Sequence, residues 1–417
     1  MRGQSVRAVR GQAVFVAAVA LVAACGSTVD SVGYNGASGA VLHTLTLPAS
    51  YPNAFRDLLG KSDTDINNKI LGAFNQLFHG DASTQAIYFP VTGTNQAFIQ
   101  DVLHGDIRTE GIGWGMLIAV EPNKQDEFDH HWNYAKASLE YTAPPDAGYF
   151  RSSCDTETGA APCTDPFGME QFVMALIFAH DRWGTTGASA YDQDALALLE
   201  VLRHKQDQNG GIVDSVTDAF DDSTALPYDV PDVTAAGVTR PSIEMPGYYQ
   251  LWAEATGDPF WTRAAAAARA QWARTAYMGT GLLPVKATFD GMPVAGSDTY
   301  QPEAYRAQIH MVIDNIWIGP SAWNVTEANN LLGFFSGQGI DSYGSAYTLP
   351  GTVLTAAHDP SLVAVNGMTA LIAMTADRAT YVDQVWNMAT PSGVPRYYQG
   401  MLDMLSLLAL GGQLRVY

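Results

Sequence analysis

The chain has 417 residues, 47% of them hydrophobic, and a formal charge of −20. That length can bury a large core in one big domain or two ordinary ones. The acidity excludes nucleic acid and an anionic membrane surface as partners, because both need clustered Lys and Arg, and it leaves a neutral or cationic ligand open.

The N-terminus reads as a targeting segment. Arg2, Arg7 and Arg10 precede an apolar run from Ala13 to Ala24, shorter than the roughly 20 residues a membrane-spanning helix needs. The run ends Leu21-Val22-Ala23-Ala24-Cys25, similar to a bacterial lipoprotein cleavage box, so 1–25 is expected to act as a signal peptide with a lipid on Cys25. An ordinary secretory signal is the alternative. Both imply export, to the periplasm or the cell surface, with membrane contact only through the lipid. Residues 26–52 are expected to be a flexible tether. No linker splits 53–417, which reads as one catalytic-sized domain. Cys154 and Cys163 then remain, flanking a loop of Gly, Ala, Thr and Pro. An oxidising compartment favours a disulfide between them, which would contribute about 2–3 kcal/mol; two free thiols are the alternative.

Helix then follows helix. Asp63 or Thr64 caps one with Ile66, Ile70, Ala73, Phe74 and Leu77 on one face. Ala86 to Pro90 reads as extended. The stretch Arg108-Thr109-Glu110-Gly111-Ile112-Gly113-Trp114-Gly115-Met116 places a carboxylate just before an apolar helix, with Trp114 one turn further on. Apolar surroundings raise a carboxyl pKa and make a proton donor, whereas a helix N-terminus favours the anion. Glu127 to Tyr141, Gly168 to His180 and Tyr191 to Lys205 show helical spacing. Gln206 to Thr239 reads as an acidic excursion or lid. Further helices are predicted over 241–255, 259–277, 303–317, 327–335, 361–373, 378–387 and 396–410. About twelve antiparallel helices and few strands predict an all-α toroid of six inner and six outer helices. An open solenoid would show more regular repeats.

Metal readings are poor. Zinc is not expected, since no His stands at ligand spacing beside the cysteines. Adjacent His130 and His131 diverge on a helix. Asp218, Asp221 and Asp222 lack the Gly-and-Glu pattern of a calcium loop. No cofactor is expected.

Several motifs occur in order along the chain: Arg108-Thr109-Glu110-Gly111 with Gly115-Met116, Gly148-Tyr149-Phe150, Glu170-Gln171-Phe172, Arg182-Trp183-Gly184, Ala304-Tyr305-Arg306 with Asp314, and Arg396-Tyr397-Tyr398. Together they resemble glycoside hydrolase family 8, most nearly its reducing-end xylose-releasing exo-oligoxylanases. The resemblance covers about residues 60 to 417. It implies an (α/α)6 barrel that hydrolyses β-1,4-linked sugars with inversion, with Glu110 as the acid. The base position holds Glu303, where the family usually has Asp. A second departure is Phe167-Gly168 in place of an Asp-Gly pair whose Asp holds the distorted sugar, with Asp165 as the candidate replacement. Sugars present apolar C–H faces, so Trp114, Tyr149, Phe150, Tyr305, Tyr397 and Tyr398 are candidate substrate walls, and Arg306 and Arg396 candidate polar partners. Trp132, Trp183, Trp252 and Trp261 are assigned to the core. The reading is an exported inverting glycosidase acting on an oligosaccharide, with xylo-oligosaccharides first. A different sugar, such as β-glucan or chitosan oligomers, or a glycan-binding lipoprotein without activity, are the alternatives.

Overall fold

Caps and apolar faces divide the chain much as its periodicity predicts. The computed structural model describes residues 41–153, 162–185 and 190–417. In chain order the elements begin α1 (Ala54–Leu59), α2 (Asp63–His79), β1 (Tyr88–Pro90), β2 (Ala97–Asp101), β3 (Asp106–Ile107), α3 (Thr109–Val120) and α4 (Gln125–Tyr134). There follow β4 (Arg151–Ser153), β5 (Pro162–Thr164), α5 (Pro166–Trp183), α6 (Tyr191–Asn209), β6 (Val238–Thr239), α7 (Pro246–Thr256), α8 (Pro259–Thr275), β7 (Ala287–Thr288) and β8 (Thr299–Tyr300). The last are α9 (Tyr305–Trp317), α10 (Ala322–Gln338), β9 (Ala346–Thr348), β10 (Val353–Thr355), α11 (Pro360–Thr369), α12 (Arg378–Asn387) and α13 (Arg396–Leu410).

Burial separates two rings. Every residue of α3 is buried, as is every residue of α11 after Pro360, and so are the first fourteen of α5 and most of α9 and α13. By contrast α2, α4, α6, α8, α10 and α12 bury one face. The inner helices pack in the cycle α3, α5, α7, α9, α11, α13 and back to α3, and α2 leans on α13. The first outer helix thus closes against the last inner one, and the architecture is an (α/α)6 barrel. Helices buried all round need apolar sequence all round, whereas outer helices need a stripe.

Close approach of α3 and α5 sets the site. A Cβ on Gly168 would lie 2.3 Å from the Thr109 Cβ, and one on Gly113 would lie 2.5 Å from the Gln171 Cβ. These glycines let the N-terminal turns of two inner helices meet, and Glu110 stands on one of them.

The strands are short and antiparallel, in sheets β1–β2–β3 and β8–β9–β10 and pairs β4–β5 and β6–β7. Some boundaries differ from expectation. The six-residue α1 is too short to show a period, and α10 starts at Ala322 because Ser321 caps it. Of the expected tether 26–52, residues 26–40 lie outside the described residues, and the part around 43–46 is not free. The His43 amide donates to the Ala255 carbonyl at 2.7 Å, the Thr46 amide donates to Glu254 at 2.6 Å, and Leu45 is buried, so this segment is fixed to the end of α7. Cys163 on β5 is disulfide-bonded. Cys25 and Cys154 lie outside the described residues.

Candidate active site

The N-terminal ends of the inner helices converge on one cavity of about 290 Å³. Its wall takes Glu110 from α3, Asp165 from the cap of α5, Glu303 and Arg306 at the start of α9, Asp359 at the cap of α11, and Tyr398 from α13. Arg240, just before the turn leading into α7, completes the circle. A ring of helix N-termini presents partial positive charge and unpaired N–H groups, which suits carboxylates and sugar oxygens.

Glu110 is the second residue of α3 and is 7% exposed. Its Oε2 accepts from Nη1 of Arg306, and its Oε1 accepts from the Tyr397 hydroxyl at 3.0 Å. Burial pushes its pKa up. Arg306 and Arg108 pull it down, Asp165 raises it, and the Tyr397 hydrogen bond lowers it; the net direction is upward. Phe167, in the position of the expected carboxylate, is fully buried. Its ring lies 4.4 Å from the Arg306 guanidinium and edge-on to Trp114. An aromatic face in that place supports the arginine instead of contacting the cavity.

Glu303 lies on a 3₁₀ turn, Pro302–Ala304, with its side chain one-third exposed. Its Oε1 accepts from Nη1 of Arg240 at 2.8 Å and from Nη2 of Arg306 at 3.2 Å. Desolvation raises its pKa, but Arg240, Arg306 and Lys286 together outweigh it, and the group is held below the usual range. Arg306 therefore spans both carboxylates with one terminal nitrogen on each. The two groups are driven in opposite directions, as an acid and base pair requires.

Arg240 is a hub. Nη2 donates to Asp165 Oδ1 at 2.7 Å and to the Asp229 carbonyl at 3.1 Å, while Nε lies 2.8 Å from Asp229 Oδ1. Asp165 also caps α5 through the Phe167 amide at 3.2 Å. It thus does both things its sequence allows, capping the helix and lining the cavity.

Other sequence candidates lie elsewhere. Trp114 is 1% exposed and packs beneath Phe167 and Tyr398, behind the cavity wall. Tyr149 is buried and donates to the Thr217 carbonyl at 2.7 Å, and Phe150 stacks on Trp132. Tyr305 is buried and bonds the Ser345 carbonyl. Arg396 turns back to the carbonyls of Ala86 (2.8 Å), Gly393 (2.7 Å) and Ala82 (3.2 Å), pinning loops to α13. These five were expected at the substrate. They are corrected to core or framework, because each buried polar tip is already committed to a backbone partner or each ring is enclosed. Tyr397, also expected as a substrate wall, is corrected to a buried partner that reaches Glu110 from behind, whereas Tyr398 lines the cavity as expected and bonds the Pro302 carbonyl. Trp132, Trp252 and Trp261 are buried and Trp183 half-buried. Asp218, Asp221 and Asp222 have protein partners: the Gln206 amide, the Ser223, Thr224 and Tyr228 hydroxyls, and Arg203.

Sequence reasoning missed Arg240, Asp359 and a trio at the rim. There Asp101 holds His104 Nδ1 at 2.8 Å and Arg108 at 3.0 Å. An Arg-Pro start to a helical turn was the only local trace of Arg240.

The description "Glycosyl hydrolases family 8" matches residues 94–412. The chain is 32% identical over 381 residues to the reducing-end xylose-releasing exo-oligoxylanase Rex8A of Paenibacillus barcinonensis, covering 88% of this chain and 97% of that one. It is 27% identical over 377 residues to endoglucanase 2 of Ruminiclostridium josui, covering 87% and 75%. The crystal structure of a GH8 xylobiose complex from Teredinibacter turnerae superposes with a TM-score of 0.82 at 32% identity, covering 88% and 98%.

Proposed function

Since this chain belongs to glycosyl hydrolase family 8, whose members are inverting O-glycosyl hydrolases, we propose that it releases xylose from the reducing end of β-1,4-linked xylo-oligosaccharides. Glu110 is the acid and Glu303 the base. Glu110 gives its proton to the glycosidic oxygen as the C–O bond breaks. The Glu303 carboxylate takes a proton from water, whose oxygen bonds the anomeric carbon from the opposite face and leaves the α-anomer. Both arginine contacts of Glu303 fall on Oε1, which leaves Oε2 to accept from the water. Arg306 faces the Glu110 carboxylate that forms when the proton departs. The single observation that carries the reading is the Arg306 guanidinium between two carboxylates whose pKa values move apart.

Two facts support the sugar assignment. Rex8A is 32% identical along nearly its whole length. A cavity of about 290 Å³ falls just below the roughly 300–1,000 Å³ usual for ligand sites, and suits a short substrate. Incubation of the purified protein with xylo- and cello-oligosaccharides is expected to give single xylose units, with a label on the reducing-end ring appearing in the monomer. Cellobiose as the main product would move the specificity to β-glucan. Binding without any cleavage would make the protein a glycan receptor.

The segment before Cys25 supports export with a lipid anchor on that residue. Metabolic labelling with a fatty acid in a bacterial host should mark the protein and fail for Cys25→Ala. An unmodified chain in the culture medium would instead point to a plain secretory signal.

A further inference from the structure

We infer that Arg240 is a positioning residue for the base, locking Glu303 to the inner-helix framework through a clamp it shares with Asp165 and Asp229. The inference rests on the reading of Glu303 as the base.

Glu303 needs such a lock. It stands on a short 3₁₀ turn with a third of its side chain exposed, and Glu has one more torsion to fix than the Asp usual at this place. Arg240 supplies the other end of a rigid lever. Its guanidinium is buried, with Nη1 donating to Glu303 and Nη2 to Asp165, while Nε lies at ion-pair distance from Asp229 without a hydrogen bond. Asp165 is itself fixed as the cap of α5. Asp229 belongs to the long segment between α6 and α7, and its second oxygen holds Lys286 at 2.7 Å. A planar fork is the group that can hold three acids at fixed angles, and lysine cannot copy it.

Stability alone does not require this arrangement. Arg240, Lys286 and Arg306 face Asp165, Asp229 and Glu303, and buried ion networks are often replaceable by apolar residues without loss. The clamp has a chemical result instead. It occupies Oε1 of Glu303, directs Oε2 away from the arginines, and keeps the base ionised. The charged and titratable groups facing Glu303 are Arg240 before α7, Arg306 on α9, Lys286 ahead of β7 and Tyr398 on α13, with Asp165 and Asp229 behind Arg240.

The test compares kcat, KM and pH–rate profiles of the full protein with those of Arg240→Gln and Arg240→Lys. Removing a cation beside Glu303 raises its pKa. In Arg240→Gln the acid limb of the kcat profile therefore moves to higher pH, kcat drops on the order of 10²-fold as the base loses its place, and KM changes little. Arg240→Lys keeps the charge but not the fork. Its acid limb stays nearer the native position while kcat still falls, and it serves as the folding-safe variant should Arg240→Gln not fold. A folded Arg240→Gln with native kcat and an unmoved acid limb overturns the inference, as does Arg240→Lys with native kcat. Glu303→Gln is measured alongside. If that change leaves hydrolysis intact, the reading of the base has failed; if it removes hydrolysis while the Arg240 variants behave as native, only the clamp has failed.

Discussion

Glu110→Gln is expected to lower kcat on xylo-oligosaccharides by about 10²–10⁴-fold, the usual worth of a positioned general acid. The substitution keeps the shape of the side chain and an acceptor for Tyr397 or Arg306, so the fold should persist and the loss should fall on kcat. The leaving group decides whether the lost function is proton donation. A sugar leaving from C–O cleavage needs a proton, whereas fluoride leaves without one. Hydrolysis of a β-xylobiosyl fluoride should therefore suffer far less. The basic limb of the native pH–rate profile should also vanish, because burial holds the proton on Glu110 to higher pH than a free carboxyl would, and Gln has none to lose. Equal loss on the natural substrate and the fluoride would show that Glu110 serves binding or structure.

Glu303→Gln should cost a similar factor, about 10²–10⁴-fold in kcat, and fluoride should not spare it, since the missing step is activation of water. Glu303→Asp is the more informative change. It restores the family's usual residue but withdraws the carboxylate from Arg240 and Arg306, which meet Glu303 at 2.8 and 3.2 Å. Because the surrounding fork is built for the longer acid, we expect a loss of about 10²-fold from misplacement. Native or higher activity in Glu303→Asp would mean that the site is adjusted to the shorter side chain.

The barrel was legible because burial on all sides and burial on one stripe leave different periods in the sequence. α12 and α13 begin and end where their apolar spacing does, at Arg378–Asn387 and Arg396–Leu410. The hairpin of β2 and β3 and the short α1 carry too few residues for a period to show. At the site, the resemblance of the motifs to the family is what paired Glu110 with Glu303, and the structure brings both to one cavity. The aromatics were harder. Adjacent Tyr397 and Tyr398 point to different places, one behind Glu110 and one into the cavity, and spacing alone does not tell an inner helix's upward face from its buried flank. Arg240 left almost no trace because its partners are far away in sequence: Asp165 is 75 residues back and Glu303 is 63 residues on. Phe167 shows the converse. Its departure from the family pattern was plain, but its use as a seat for Arg306 depended on an inter-helix contact.

The pairing of Glu110 with Glu303 is tested most directly by asking whether an anion can replace the base. Glu303→Ala removes the carboxylate and opens space on the face from which water attacks. Azide carries its own charge, so it needs no base to activate it. Xylotriose should be cleaved by Glu303→Ala only slowly in plain buffer and much faster with sodium azide, giving a glycosyl azide of α-configuration, the inverted product. Cleavage of xylotriose by Glu303→Ala at the native rate without azide, or a β-configured azide, would contradict the assignment of Glu303 as the base opposite Glu110.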